Sequence, residues 1–218
     1  MKYTVLNCQQ RSGDWFAARL GRITGSRAAD LLATRKDKTE AAARRNYRRE
    51  LVCERLTGLS GEEDVFVTRE MQRGIDLEER AFAAYEAYSG KVVDRVGFVR
   101  CDELMAGSSV DGFVGDFKGV LELKCPKSTT HLQYVLGGVI PEEYFPQVIH
   151  HLWVTGADWC DFVSFDNRFQ RPELQLFVRR CSRAAVAEEL AAYEAAALKF
   201  LAEVEAEVHL LGAMEVAA

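Results

Sequence analysis

The chain has 218 residues, 48% of them hydrophobic and 28% charged, with a net charge of −5. This length supports one sizeable core, and the composition excludes disordered and collagen-like chains. No apolar run reaches the roughly 20 residues that cross a bilayer, and no basic-then-apolar leader opens the sequence, so a cytoplasmic protein with no membrane partner is expected. The acidic total hides an asymmetry. Residues 1–60 carry 13 Lys/Arg against 6 Asp/Glu, and the remainder 15 against 27. A basic face can therefore meet phosphates despite the mean charge. The six cysteines form no C-x-x-C pair, which argues for reduced, mostly buried thiols.

In chain order, Ser12 is placed to cap a short helix through Trp15, Phe16 and Arg19, ending at Gly21. A second short helix starts near Ser26 and runs to Leu32. The stretch between, Arg19–Ser26, joins basic side chains to a helix start, which suits either an anion or a plain capped helix. Residues 33–39 read as a basic loop. Thr39 is expected to cap a helix to Thr57, closed by Gly58. Arg44, Arg45, Arg48 and Arg49 share a broad face of that helix, either as solvated surface or as a DNA-facing stripe. After an acidic turn at 60–64, a helix spans Thr68 to Ser89. Its apolar stripe is Met71, Gly74/Ile75, Ala81/Phe82 and Tyr85, with Glu78 on the stripe and Glu79 facing away. A carboxylate on a buried face needs a partner or a metal.

Residues 91–100 alternate as one strand. Residues 109–124 form the most informative stretch, two apolar runs around a turn rich in Gly and Asp. On a strand, Glu122 and Lys124 point one way while Leu121 and Leu123 point the other. A turn near Gly115–Gly119 sets Asp111 opposite Glu122. Two carboxylates that close repel unless a cation joins them, and hard oxygen ligands suit Mg²⁺ or Mn²⁺. An isolated E-x-K is usually a surface pair, but the offset of Asp111 favours a metal site. Helices follow at 128–137 and from Glu142 to Trp153, the second closed by Gly156. Gln147 and His151 share a face of the latter; His150 and His151 point about 100° apart and lack zinc-site spacing, so packing or a phosphate contact is expected. Strands at 159–166 and 173–180 and a helix over 182–212 complete a single α/β domain, residues 1–218, with a mixed central sheet flanked by helices.

The order D-x(10)-E-x-K followed by a helical Gln resembles the PD-(D/E)xK, restriction-endonuclease-like nuclease core. More narrowly, Trp15…Arg19-Leu-Gly-Arg-Ile-Thr-Gly-Ser26, Arg73-Gly…Glu78, Ser109-Val-Asp111-Gly, Leu121-Glu-Leu-Lys-Cys-Pro126, Leu136-Gly-Gly and Gln147…Trp153-Val-Thr resemble the lambda exonuclease/YqaJ-type phage recombination exonucleases. That resemblance implies an Mg²⁺-dependent 5′→3′ exonuclease, with two ions per site and Mn²⁺ as a substitute. It acts on double-stranded DNA ends bearing a 5′-phosphate, releases 5′-mononucleotides and leaves a 3′ single-stranded tail. It also implies a homotrimeric ring, a single-strand annealing protein as partner, and a phage or prophage origin in a bacterial host. By match, Asp111, Glu122 and the Leu123 carbonyl bind metal, Lys124 orients or deprotonates water, and Glu78 assists. Arg19, Ser26 and Ser109 lie near the 5′-phosphate, and Gln147 contacts substrate. The position of a second helical Gln is Ile149. Another PD-(D/E)xK endonuclease and a non-catalytic DNA-end-binding module are the alternatives.

Overall fold

The computed structural model describes residues 2–37, 39–61 and 69–214. The acidic turn over 62–64, the helix start at Thr68 and the side chain of Met71 lie outside the described residues. Two sheets organise the chain. The smaller is antiparallel, in the order β1 (Tyr3–Leu6), β3 (Phe98–Cys101) and β4 (Gly107–Ser108). The larger runs β2 (Val93–Asp94), β5 (Gly112–Val114), β6 (Gly119–Lys124), β7 (Trp159–Phe165), β8 (Leu176–Ser182). Its β6–β7 pair is parallel and the others antiparallel, so the sheet is mixed as expected. A parallel neighbour needs a crossover, which α5 (Ser128–Gly137) and α6 (Phe145–Thr155) supply between β6 and β7.

The expected single strand over 91–100 is in fact two strands in different sheets. Gly97 lies against the backbone of Cys8, where any side chain would collide, and its N–H donates to Leu6 O. The chain therefore leaves β2 and enters β3 at that glycine. The strands β1 and β4 are too short to show a pattern in the sequence.

Helices cover both faces of the larger sheet. The helix α4 (Arg69–Ser89) brings Phe82 and Tyr85 onto Leu121, Val114 and Val163. Its buried face is Leu77, Ala81, Phe82 and Tyr85; Ile75, expected on the stripe, is exposed. On the other face, α6 and α7 (Ala187–Gly212) pack with α2 (Ala28–Leu32) and α3 (Ala42–Thr57) in the main core. Thr39 does not cap α3. Its hydroxyl and N–H both bond Asp37 Oδ1, at 2.6 and 3.0 Å, and the capping position falls to Ala41. Nor are the arginines of α3 one free stripe. Arg44 and Arg48 bond Glu40 on their own side and Glu203 on α7, and Arg48 also reaches Glu207, while Arg45 and Arg49 stay exposed. Half of the expected stripe thus joins two helices.

The first short helix, α1 (Gly13–Arg19), forms as its sequence requires, with Ser12 Oγ accepting from Trp15 N at 3.3 Å. The chain then turns at Gly21, whose φ of +67° is the left-handed region glycine enters without strain. Buried Glu54 of α3 accepts from Gly21 N at 2.8 Å, and Arg55 donates to Gly21 O at 2.9 Å. These two bonds fix the turn that carries the chain from Arg19 to Ser26.

Candidate active site

The hairpin of β5 and β6 has the register that its sequence implies. Gly112 pairs with Leu121 and Val114 with Gly119, so Asp111 stands opposite Glu122 at the open end. Asp111 N donates to Leu121 O at 3.0 Å, and Asp111 Oδ2 accepts from Leu123 N at 2.5 Å. The leucine face packs on the α4 cluster, while Glu122 turns toward α6. Glu122 is 1% exposed and fully engaged. Its Oε1 takes the Gln147 amide at 2.8 Å and an ion pair from Lys124; its Oε2 takes His151 Nε2 at 2.7 Å.

These contacts set the charge states. Burial raises the Asp111 carboxyl, and the neighbouring Glu122 charge adds to the rise. Burial would also raise Glu122, but Lys124 and the His151 hydrogen bond outweigh it and hold Glu122 below its ordinary value. Burial would lower Lys124, but the Glu122 and Asp111 charges outweigh it and raise the ammonium. The result is a buried carboxylate pair with charge compensated at Glu122 and deficient at Asp111. That imbalance, and the all-oxygen donors of Asp111, Glu122 and the Leu123 carbonyl, fit a hard divalent cation that completes its shell with water or phosphate oxygens. Among the described residues no three His, Cys, Asp or Glu side chains converge as a metal-binding group. Glu78 therefore stands apart from the pair. It is half-buried, burial raises its carboxyl, and its charge still contributes to the rise at Asp111. Glu79 faces away, paired with Arg95.

A second cluster begins two residues before Asp111. Ser109 Oγ accepts from Arg19 Nη1 at 3.0 Å and from Trp15 Nε1 at 3.1 Å. Arg19, 7% exposed, lies 4.1 Å over the Trp15 ring, and its Nη2 reaches Ser26 Oγ at 3.4 Å and Thr24 Oγ1 at 3.5 Å. Arg19 and Ser26, seven residues apart, and Ser109, 90 residues beyond Arg19, are one group of anion-competent side chains. The Thr24–Ser26 backbone approaches α6 so closely that a Cβ on Gly25 would sit 2.8 Å from His151 Cε1 and 3.3 Å from Gln147 Cγ. Only glycine fits there.

The two histidines divide their work. His150 bonds Tyr193 OH at 2.7 Å and Gly107 O at 2.8 Å and is part of the packing, while Ile149 is core. His151, expected to pack or to touch phosphate, instead reaches the Glu122 carboxylate. The signal for it in the sequence was the shared face with Gln147 four residues earlier. Trp15 and Thr24 complete the Arg19 cluster, and no pattern in the sequence marks them for it.

The family model described as the YqaJ-like viral recombinase domain matches residues 14–158. Among solved structures, an alkaline exonuclease (LHK-Exo) from Laribacter hongkongensis is 40% identical with a TM-score of 0.78, covering 92% of this chain and 96% of its own. The same protein in complex with dAMP matches with the same values. A phage-related exonuclease from Haemophilus somnus 129PT shares the fold, at 15% identity and a TM-score of 0.58 over 85% of this chain and 96% of its own. No curated protein matches the chain.

Proposed function

We propose that this chain, which belongs to the YqaJ-like viral recombinase family, is a divalent-metal-dependent deoxyribonuclease that digests one strand of linear duplex DNA from its 5′ end. Asp111, Glu122 and the Leu123 carbonyl hold the metal, read as two Mg²⁺ ions with Mn²⁺ as a substitute, and Glu78 assists through water. Such a cation, when bound, acidifies a water and neutralises charge on the scissile phosphate. Lys124 orients the attacking water. Gln147 fixes Glu122 and borders the substrate. Arg19, Ser26 and Ser109 bind the terminal 5′-phosphate by charge-assisted hydrogen bonds, with Trp15 supporting the guanidinium.

The observation that carries this reading is the juxtaposition across one hairpin of Asp111 and Glu122, with the Arg19 cluster two residues upstream at Ser109. A 40% identical relative crystallised with dAMP is in keeping with release of 5′-mononucleotides. The same reading makes residues 1–218 one domain of a ring-shaped homotrimer. It hands the 3′ single-stranded tail to an annealing protein, in the cytoplasm of a bacterium carrying the phage or prophage. The test uses linear 5′-phosphorylated duplex and a covalently closed circle. In Mg²⁺ the protein is expected to shorten the linear duplex and spare the circle. EDTA or Asp111→Ala is expected to abolish digestion; rapid nicking of the circle would mean an endonuclease instead.

A further inference from the structure

His151 is fully buried, and both ring nitrogens are committed. Nε2 lies 2.7 Å from Glu122 Oε2, and Nδ1 lies 2.5 Å from Ser108 Oγ. A carboxylate oxygen only accepts, so Nε2 carries the hydrogen, while Nδ1 shares a hydrogen bond with the Ser108 hydroxyl. The ring is also walled in by the Thr24–Ser26 backbone at Gly25. It can neither flip nor tilt without breaking one of these contacts. Oε1 of Glu122 is held by Gln147 and Lys124, whereas His151 is the holder of Oε2 among the described residues. Ser108 precedes Ser109, the acceptor of the Arg19 and Trp15 donors. One rigid ring thus ties the backbone of the Arg19 cluster to the orientation of the Glu122 carboxylate.

We propose that His151 is a positioning residue that sets the plane of the Glu122 carboxylate for cation binding, through its Nε2–H, from an anchor on Ser108. The proposal rests on Glu122 being a metal ligand. Hydrogen-bond partners of ligating carboxylates are worth about 10- to 100-fold in metal affinity or activity. Two substitutions separate the roles of the ring. Gln places its amide nitrogen near the position of Nε2 and keeps a donor toward Glu122; Asn reaches only the position of Nδ1 and keeps the Ser108 side.

The experiment titrates Mn²⁺ by calorimetry into full-length wild type, Asp111→Ala, His151→Ala, His151→Gln and His151→Asn, with thermal unfolding and the KM and kcat of duplex digestion measured alongside. Wild type is expected to bind Mn²⁺, and Asp111→Ala to lose it. His151→Ala and His151→Asn should bind about 10- to 100-fold more weakly, with kcat falling at saturating DNA and KM for duplex ends unchanged. His151→Gln should return near wild type. Should His151→Ala not fold, the Gln and Asn variants decide alone. Mn²⁺ affinity equal to wild type in His151→Asn, or recovery by Asn as complete as by Gln, overturns the positioning role while leaving the metal site standing. Failure of wild type to bind Mn²⁺ overturns the metal site, and the positioning role with it.

Discussion

At the scale of single residues, buried groups differ in what they face. Arg19 lies on Trp15 with hydroxyls of Thr24, Ser26 and Ser109 around its guanidinium. If that group reads a 5′-phosphate, Arg19→Ala removes charge-assisted bonds worth about 1.5–3 kcal/mol. Digestion of 5′-phosphorylated duplex should then fall roughly 10- to 150-fold, while the rate on a 5′-hydroxyl duplex stays level. Equal losses on both ends would argue for a purely structural Arg19. His150 makes a prediction about stability. Burial holds its pKa down at about 3, so the unfolded chain, with an ordinary imidazole near 6.5, takes up the proton first. The His150 contribution to stability is therefore full above pH 6.5 and is lost at about 1.4 kcal/mol per pH unit as the pH drops toward 3, opposite in sign to that of the raised Asp111 carboxyl. The difference in stability between wild type and His150→Gln, from urea unfolding between pH 7 and 4.5, should carry this slope; a pH-independent difference would contradict it. The sequence showed two adjacent histidines about 100° apart; it did not show which would meet a carboxylate, because that depends on where β4 and β6 end beside α6.

Among elements, α4 is held to the end of β7 by a buried ion. Asp166, fully buried at the end of β7, bonds Arg73 of α4 at 2.9 Å and Arg168 at 2.8 Å. Burial would raise its carboxyl, but the Arg168 and Ser128 bonds outweigh it and hold Asp166 well below the ordinary range. Arg73 also donates to Pro126 O at 2.9 Å, just beyond β6. Asp166→Ala removes the buried acceptor shared by Arg73 and Arg168 and should cost about 1.5–3 kcal/mol, seen in thermal unfolding; a loss below about 1 kcal/mol would class this clamp with surface pairs. The β5–β6 hairpin was legible because alternation and a Gly/Asp turn fix register locally. The turn even holds Asp116 and Phe117 at φ of +56° and +65°. The division of residues 91–100 between two sheets was not legible, since Gly97 is dictated by Cys8, 89 residues away in sequence. The pairing of Arg44 and Arg48 with α7 was hidden for the same reason: its acidic partners lie about 155 residues downstream.

For the whole molecule, α6 is the member common to both sheets. His150 and His151 hold Gly107 and Ser108 of the smaller sheet, while Gln147 and His151 hold Glu122 of the larger. The Arg19 cluster hangs from the first sheet and the carboxylate pair from the second, so α6 sets their separation. No helix among the described residues is long and apolar enough to cross a membrane. The basic first third is partly neutralised by α7, and Arg45 and Arg49 stay exposed. The most direct measurement is release of mononucleotide from a linear duplex labelled at one 5′-phosphorylated terminus, followed in rising Mg²⁺ for wild type and Glu122→Gln. Wild type should release the labelled 5′-mononucleotide early, only with metal, and Glu122→Gln should release none. Release in EDTA, or undiminished release by Glu122→Gln, would contradict the assignment of this hairpin as the site of cleavage.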